Sequence, residues 1–175
     1  MINHGISTGA LFLLIGMMYE RRHSREISSY GGIARVVPIF AALLTLVSLS
    51  SIGLPGTNGF VGEFLVLLGA FERYPFFTIV ATTGVIFAAV YLLWAIQRIL
   101  FNPLDKKENE HIPDLNWREI SLMAPLVAVI IWLGVYPAPV LRRMETAAQA
   151  LVTRVESRYE IPVATSAAPE PGARR

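Results

Sequence analysis

Residues 53–64 read GLPGTNGFVGEF, set between PIFAALLTLVSLSSI (38–52) and LVLLGAF (65–71). A proline, four glycines and a carboxylate therefore interrupt one of the most apolar parts of the chain. The whole run 37–71 would make a straight helix of roughly 50 Å, far longer than a hydrocarbon core of ~30 Å. It has to break, tilt or bend, and Leu54-Pro55-Gly56 marks the place. Pro55 has no amide to donate and disfavours helix at Leu54. Gly53, Gly56 and Gly59 open conformations closed to other residues. Thr57 and Asn58 are expected to cap the restart. The reading is two half-helices joined by an unwound link.

The 175 residues are 54% hydrophobic and 16% charged, where soluble domains carry about 25% charged residues. The imbalance is local. Four apolar runs, 2–19, 37–71, 75–100 and 120–136, hold almost no charge. The expected fold is all-α: a polytopic membrane protein with about four transmembrane spans, the second one broken. Trp117 and Tyr136 flank the fourth run as interface aromatics do. After Pro137 and Pro139, apolar residues from Val140 to Val155 recur at helical spacing opposite Arg142, Arg143, Glu145, Arg154 and Glu156. That pattern predicts an amphipathic surface helix over 138–159 rather than a fifth span. Residues 160–175 have the composition of a disordered tail.

Several functions are excluded by what is missing. There is no cysteine, which removes disulfides, cysteine-held iron–sulfur clusters and thiol catalysis. No glycine-rich nucleotide motif is present, and a net charge of +2 gives no case for nucleic acid. Arg21, Arg22, Arg25 and Arg35 lie in the first loop, Lys106, Lys107 and Arg118 in the third, and only Arg73 in the second. Positive-inside reasoning then puts loops one and three in the cytoplasm and both ends of the chain outside.

Glu63 is the only acid inside the apolar runs. A charge at mid-bilayer costs from about 2.5 to well over 10 kcal/mol, so such a residue is a functional candidate. Burial favours its protonated form, while a nearby helix start favours the carboxylate. Near cancellation of the two, or a nearby Lys that comes and goes, would let Glu63 take up and release a proton near neutral pH, as a proton relay needs. The plainer reading is that it only pairs with the free amides of the helix start. His4 lies on a polar face with Asn3, Ser7 and Thr8, and its ordinary pKa of ~6.5 suits proton exchange. A neutral histidine bonded to another helix stands level with that reading. The group Glu108, Glu110, His111 and Asp114 reads as solvated loop charge rather than a metal site. First-span residues already form a helix from position 2, and the chain is expected to be a fragment.

HGISTGALFLLIGMMYERRHSREISSYGG (4–32) and LVSLSSIGLPGTNGFVGEFLVLLGAF (46–71) resemble the subunit M family of bacterial NADH:quinone oxidoreductase, respiratory complex I. The mitochondrial counterpart is subunit 4. The resemblance runs through nearly the whole chain to about residue 160. It implies an antiporter-like membrane-arm subunit that couples quinone reduction to proton translocation, with about fourteen spans at full length. This chain would be its carboxy-terminal third. Glu63 then stands at the outward end of a proton half-channel, and His4 on the polar axis through the membrane centre. Glu rather than Lys at 63 separates this type from subunits L and N and from many antiporters. The alternative is a subunit of a multisubunit cation/proton antiporter. Residues 139–159 would tie neighbouring subunits together on the outer face.

Under this resemblance NADH, FMN, iron–sulfur clusters and quinone belong to other subunits, and this chain holds no cofactor and no redox or catalytic site of its own. Its partners would be the other membrane-arm subunits, the amino-terminal part of the same subunit and the lipid bilayer. Its location would be the bacterial inner membrane.

Overall fold

A computed structural model of the chain describes residues 1–159; the tail expected over 160–175 lies outside the described residues. Helix α1 is Ile2–Arg22, α2 Pro38–Ser51, α3 Asn58–Arg73, α4 Pro75–Ile96, α5 Trp117–Val135 and α6 Ala138–Tyr159. A π-helical turn, Gln97–Phe101, prolongs α4. Short 3-10 turns at Ile27–Ser29, Ile33–Arg35 and Lys107–Asn109 lie in the two long loops. No strand occurs among the described residues. The all-α expectation holds.

Three helices are long and apolar enough to cross a membrane: α1, α4 with its π turn, and α5. The long second run is divided as the Pro and Gly positions predict. Its halves, of 14 and 16 residues, rise only about 21 and 24 Å. Neither alone reaches across a ~30 Å core; the chain between them breaks as the sequence predicts. The fourth helix starts at Trp117, three residues before the expected start. Asn116 and Glu119 form a capping box there: the Asn116 side chain accepts from the Glu119 amide at 3.0 Å, and the Glu119 carboxylate accepts from the Asn116 amide at 2.8 Å.

The chain divides into two compact units, Met1–Pro137 and a second that begins at Ala138. In the first, buried Ala10, Leu14, Met17 and Met18 stripe α1 at spacings of three and four, and Phe40, Ala41, Leu44 and Val47 do so on α2. Such spacing puts each set on one helix face. Met123 and Ile130 of α5 and Leu100 of the π turn complete the core. Helix α4 contributes little to it. Phe76, Phe77, Ile79, Ile86, Phe87 and Val90 are all exposed, as suits a helix whose apolar surface meets lipid or a neighbouring protein. In the second unit, Leu141, Met144, Leu151, Val152 and Val155 are exposed and share one side of α6.

Loops 23–37 and 102–116 lie together at one end of the bundle, held by side chains. The Arg21 guanidinium donates to both Glu119 carboxylate oxygens at 2.8 and 2.6 Å, to the Pro113 carbonyl at 2.9 Å and to the Asp114 carbonyl at 3.3 Å. Arg22 pairs with Glu108 and donates to Asn109 Oδ1 at 2.9 Å. Asn109, wholly buried, donates in turn to the Ser29 carbonyl at 3.2 Å.

The expectation of solvated loop charge fits Glu108, Glu110 and His111, which are exposed, and is corrected for Asp114. Asp114 accepts from the Ile39 and Phe40 amides at 2.8 and 3.1 Å. It therefore caps α2 from 75 residues away, satisfying amides that a helix start leaves free. No group of His, Asp and Glu able to hold a metal occurs among the described residues.

The Arg21 and Glu119 side chains are only 12% and 11% exposed. Removing one partner leaves a charge with few alternatives, at a cost of about 3 kcal/mol. Arg21→Met in the intact protein is expected to lower the thermal unfolding temperature clearly, and Glu119→Leu on that background to restore part of it. An unchanged unfolding temperature in Arg21→Met would show that the clamp contributes nothing.

Candidate functional site at the helix break

The break is built from two standard backbone devices in succession. The Leu54 amide donates to the Leu49 carbonyl at 3.0 Å and the Gly53 amide to the Ser50 carbonyl at 3.2 Å. Gly53 between them has φ +83°. These are the paired bonds of a Schellman ending, which needs a left-handed residue at that position. The Thr57 amide then donates to the Leu54 carbonyl at 3.1 Å, with Pro55 and Gly56 (φ +90°) in the centre. That is the sequence and geometry of a type II turn. The proline and the glycines are thus each explained by a bond or an angle.

The restart differs from expectation. Thr57 occupies the N-cap position without a side-chain cap bond; its hydroxyl donates to the Leu54 carbonyl at 2.6 Å, closing the turn a second time. Asn58 does not cap either. Its side chain, wholly buried, reaches sideways to two other helices. Its Oδ1 accepts from Ser50 Oγ at 2.6 Å and Ser7 Oγ at 3.2 Å, and its Nδ2 donates to the Asn3 carbonyl at 3.1 Å. Asn3 Nδ2 returns a bond to the Asn58 carbonyl at 2.7 Å. The two serine hydroxyls are 3.1 Å apart. This knot joins α1, the end of α2 and the start of α3, and it has more competition for Asn58 than a cap offers. The sequence reading missed Ser50 and misassigned Asn58. The available signal was a carboxamide in an apolar run, opposite a helix face already marked polar by Asn3 and Ser7.

Glu63 is the sixth residue of α3, one turn beyond Gly59. A Cβ on Gly59 would run into the Ser50 carbonyl oxygen, so α3 and α2 touch backbone to backbone there. That closeness brings the Glu63 carboxylate back onto Gly53, where it occupies the space a Cβ would need. The first amides of α3 do not bond to it among the described residues.

Glu63 and His4 line the same cleft of about 410 Å³, together with Asn3, Ser7, Ser50 and Gly59. His4 is exposed. The structure therefore brings both proton candidates and the polar face of α1 into one space. Leu54, Pro55 and Gly56 line a different cleft, of about 620 Å³, against α2. Gly134 of α5 packs against the Gly56 and Thr57 backbone on one side of the turn, while Leu54, Pro55 and Gly56 stay exposed on the other. At membrane depth such irregular backbone needs protein cover or a water-filled cavity.

Replacing Asn58 by Leu removes the acceptor shared by Ser7 and Ser50 and the donor to the Asn3 carbonyl, and leaves the two buried hydroxyls only each other, at a cost of about 3 kcal/mol. The expected result is a lower yield of folded protein and a clear drop in thermal unfolding temperature. Thr57→Ala, which loses one side-chain bond, is expected to cost about 1 kcal/mol. Equal effects of the two would contradict the central place given to Asn58.

The profile of a family described as NADH:quinone oxidoreductase/Mrp antiporter, transmembrane, matches residues 1–90. Among curated proteins, NADH-quinone oxidoreductase subunit M of Rhodobacter capsulatus is 46% identical over 138 residues, 79% of this chain and 27% of that protein. Subunit M of Mycobacterium tuberculosis (strain CDC 1551 / Oshkosh) is 41% identical over 175 residues, covering 100% of this chain and 32% of its own. NADH-ubiquinone oxidoreductase chain 4 of Marchantia polymorpha is 38% identical over 152 residues, 87% of this chain and 31% of the relative. A chain in a structure of respiratory complex I from Thermus thermophilus with bound NADH superimposes with a TM-score of 0.79 at 36% identity, covering 85% of this chain and 31% of that one. This chain thus spans less than a third of the length of these relatives. Read with the helix break and the acid beside it, these matches lead to one conclusion: the chain belongs to the NADH:quinone oxidoreductase/Mrp antiporter family of membrane proteins, and its relatives named here are of the subunit M and chain 4 kind.

Proposed function

We propose that the chain forms part of a proton channel in the membrane arm of an NADH:quinone oxidoreductase, where it helps couple quinone reduction to proton translocation. The observation that carries this reading is the shared cleft of Glu63 and His4 beside the helix break. Glu63 takes up and releases the proton, and His4 with the neighbouring hydroxyls of Ser7, Thr8, Ser50 and Ser51 continues the polar path. A change of charge elsewhere along the membrane axis alters the proton occupancy of Glu63 by direct electrostatics, which act strongly where water is scarce. NADH, FMN, iron–sulfur clusters and quinone are assigned to other subunits of such an assembly. The chain's partners are membrane-arm neighbours, the rest of the length that full relatives possess, and lipid. Helix α6 is assigned to contact between subunits.

The test is Glu63→Gln in the assembled, full-length system. Proton translocation is expected to fall at least about tenfold, in line with loss of a proton-transfer group, while the complex still assembles. NADH oxidation coupled to it is expected to fall as well. Unaltered pumping with normal assembly would remove Glu63 from the mechanism. The family description also names Mrp antiporters. Under that second reading Glu63→Gln would abolish sodium/proton exchange in vesicles and leave NADH oxidation untouched.

For sidedness, we place loops 23–37 and 102–116 in the cytoplasm of a bacterium and both described ends on the outer face of its inner membrane. Support comes from the Arg and Lys in those loops, which share one end of the bundle, since cytoplasmic loops carry the excess of such charge. Because the chain has no cysteine, a single Ser28→Cys reports directly. An impermeant thiol reagent is expected to label it in inverted vesicles and not in right-side-out ones. The opposite pattern reverses the orientation.

A further inference from the structure

A third cleft, of about 280 Å³, runs between α1, α2 and α4, away from Glu63. Its walls are apolar: Leu11 and Ile15 of α1, Leu44 of α2, Leu92 and Ile96 of α4 are among them. At the loop end its lining changes to Ser24, Arg25 and Tyr30. There it meets a smaller polar cleft of about 230 Å³, with which it shares Ile27 and Tyr30. The polar cleft is lined by Arg98, Asn102, Asp105 and Lys106. We propose that the joined clefts are a binding site for an anionic phospholipid, with one acyl chain between α1, α2 and α4 and the phosphate among Arg25, Arg98 and Lys106.

The chemistry fits a lipid in three respects. First, the apolar part opens beside α4, whose long side chains are exposed, so an acyl chain can enter sideways from a bilayer. Second, the cationic part lies where an interface would be. The Arg25 guanidinium sits 4.8 Å from the Tyr19 ring centroid, and that of Arg98 4.2 Å from the Trp94 ring centroid. Aromatic and basic residues in this combination mark the headgroup level. Third, the charge is available. Arg25, Arg98 and Lys106 have no carboxylate partner among the described residues, where the ion pairs are those of Arg21 and Arg22.

Among the described residues Asp105 is the only carboxylate lining either cleft, so their balance with three cations is positive. Burial pushes the Tyr30 phenol above its ordinary value. It stays neutral and donates to the Ser24 carbonyl at 2.6 Å. A free phosphate would satisfy the cations but leave the apolar trough without a partner, which is why the lipid is preferred.

The experiment uses the intact complex reconstituted with a phosphatidylglycerol analogue carrying a photoreactive acyl chain, followed by peptide mapping. Crosslinks are expected in the peptides that contain Leu11–Ile15, Leu44 and Leu92–Ile96. Excess phosphatidylglycerol is expected to compete about tenfold better than phosphatidylcholine, consistent with the attraction of basic residues to anionic headgroups. Glycerol phosphate is expected not to compete. Arg25→Gln with Arg98→Gln, both at exposed positions, is expected to lower crosslinking about tenfold with assembly unchanged. Ala95→Phe, which fills the trough, is expected to lower it with all charges kept. Absence of crosslinks in these peptides, equal competition by phosphatidylcholine, or occupation of the trough by another protein segment would overturn the proposal. Each outcome is independent of whether Glu63 carries protons.

Discussion

A hydrocarbon surrounding offers no water to an unpaired amide, so a helix can be interrupted within it only if the protein itself supplies partners for the freed groups. Residues 52–58 meet that demand by stages at the end of α2 and through the turn. The Schellman bonds complete the end of α2, the turn through Pro55 and Gly56 closes on Leu54, and Asn3 takes up the Asn58 carbonyl. The Asn58 side chain then secures both neighbours through Ser7 and Ser50. Once that satisfaction is in place, α2 and α3 can approach at Gly59, and the carboxylate of Glu63 comes to lie against the break. The position of the acid is thus a product of backbone accounting several residues upstream.

The far end of the bundle obeys the same demand with different groups. Arg21 joins three places in the chain at once, the α1 end, the 113–114 backbone and the α5 start. A guanidinium suits this because its five donors lie in a rigid planar fork. Asp114 and Glu119 both work at helix starts, one across the chain and one locally. Polar knots at the break and at the loop end therefore enclose the apolar core formed by α1, α2 and α5. Helix α4 stays largely outside that core, attached to α3 and through its π turn, and exposed along most of its length.

Features governed by local rules were readable in advance. Pro55, Gly53 and Gly56 announce the break because their backbone restrictions act within a few residues. The membrane-length runs follow from composition alone. What escaped depends on partners distant in sequence. Nothing near Asn58 reveals that Ser7 is 51 positions away and waiting for an acceptor. Its place after Thr57 pointed to a cap instead. Asp114 looked like loose loop charge because the amides it serves are at 39 and 40. The early start of α5 is a different kind of miss. Asn116 and Glu119 have the spacing of a capping box, but the charged Arg118 between them made the stretch look like loop. Glu63 and His4 were singled out one at a time; their common cleft required the fold.

Gly53 gives the site an unusual sensitivity. Its left-handed φ and the carboxylate lodged against it are two demands on one residue, and every side chain larger than hydrogen violates both together. A methyl group there would leave the ionisable group chemically intact yet lever it out of its niche and loosen the end of α2. The placement of the carboxylate at 63 therefore depends on a residue that has no functional group at all, and a variant at 53 would displace the acid while leaving it chemically whole.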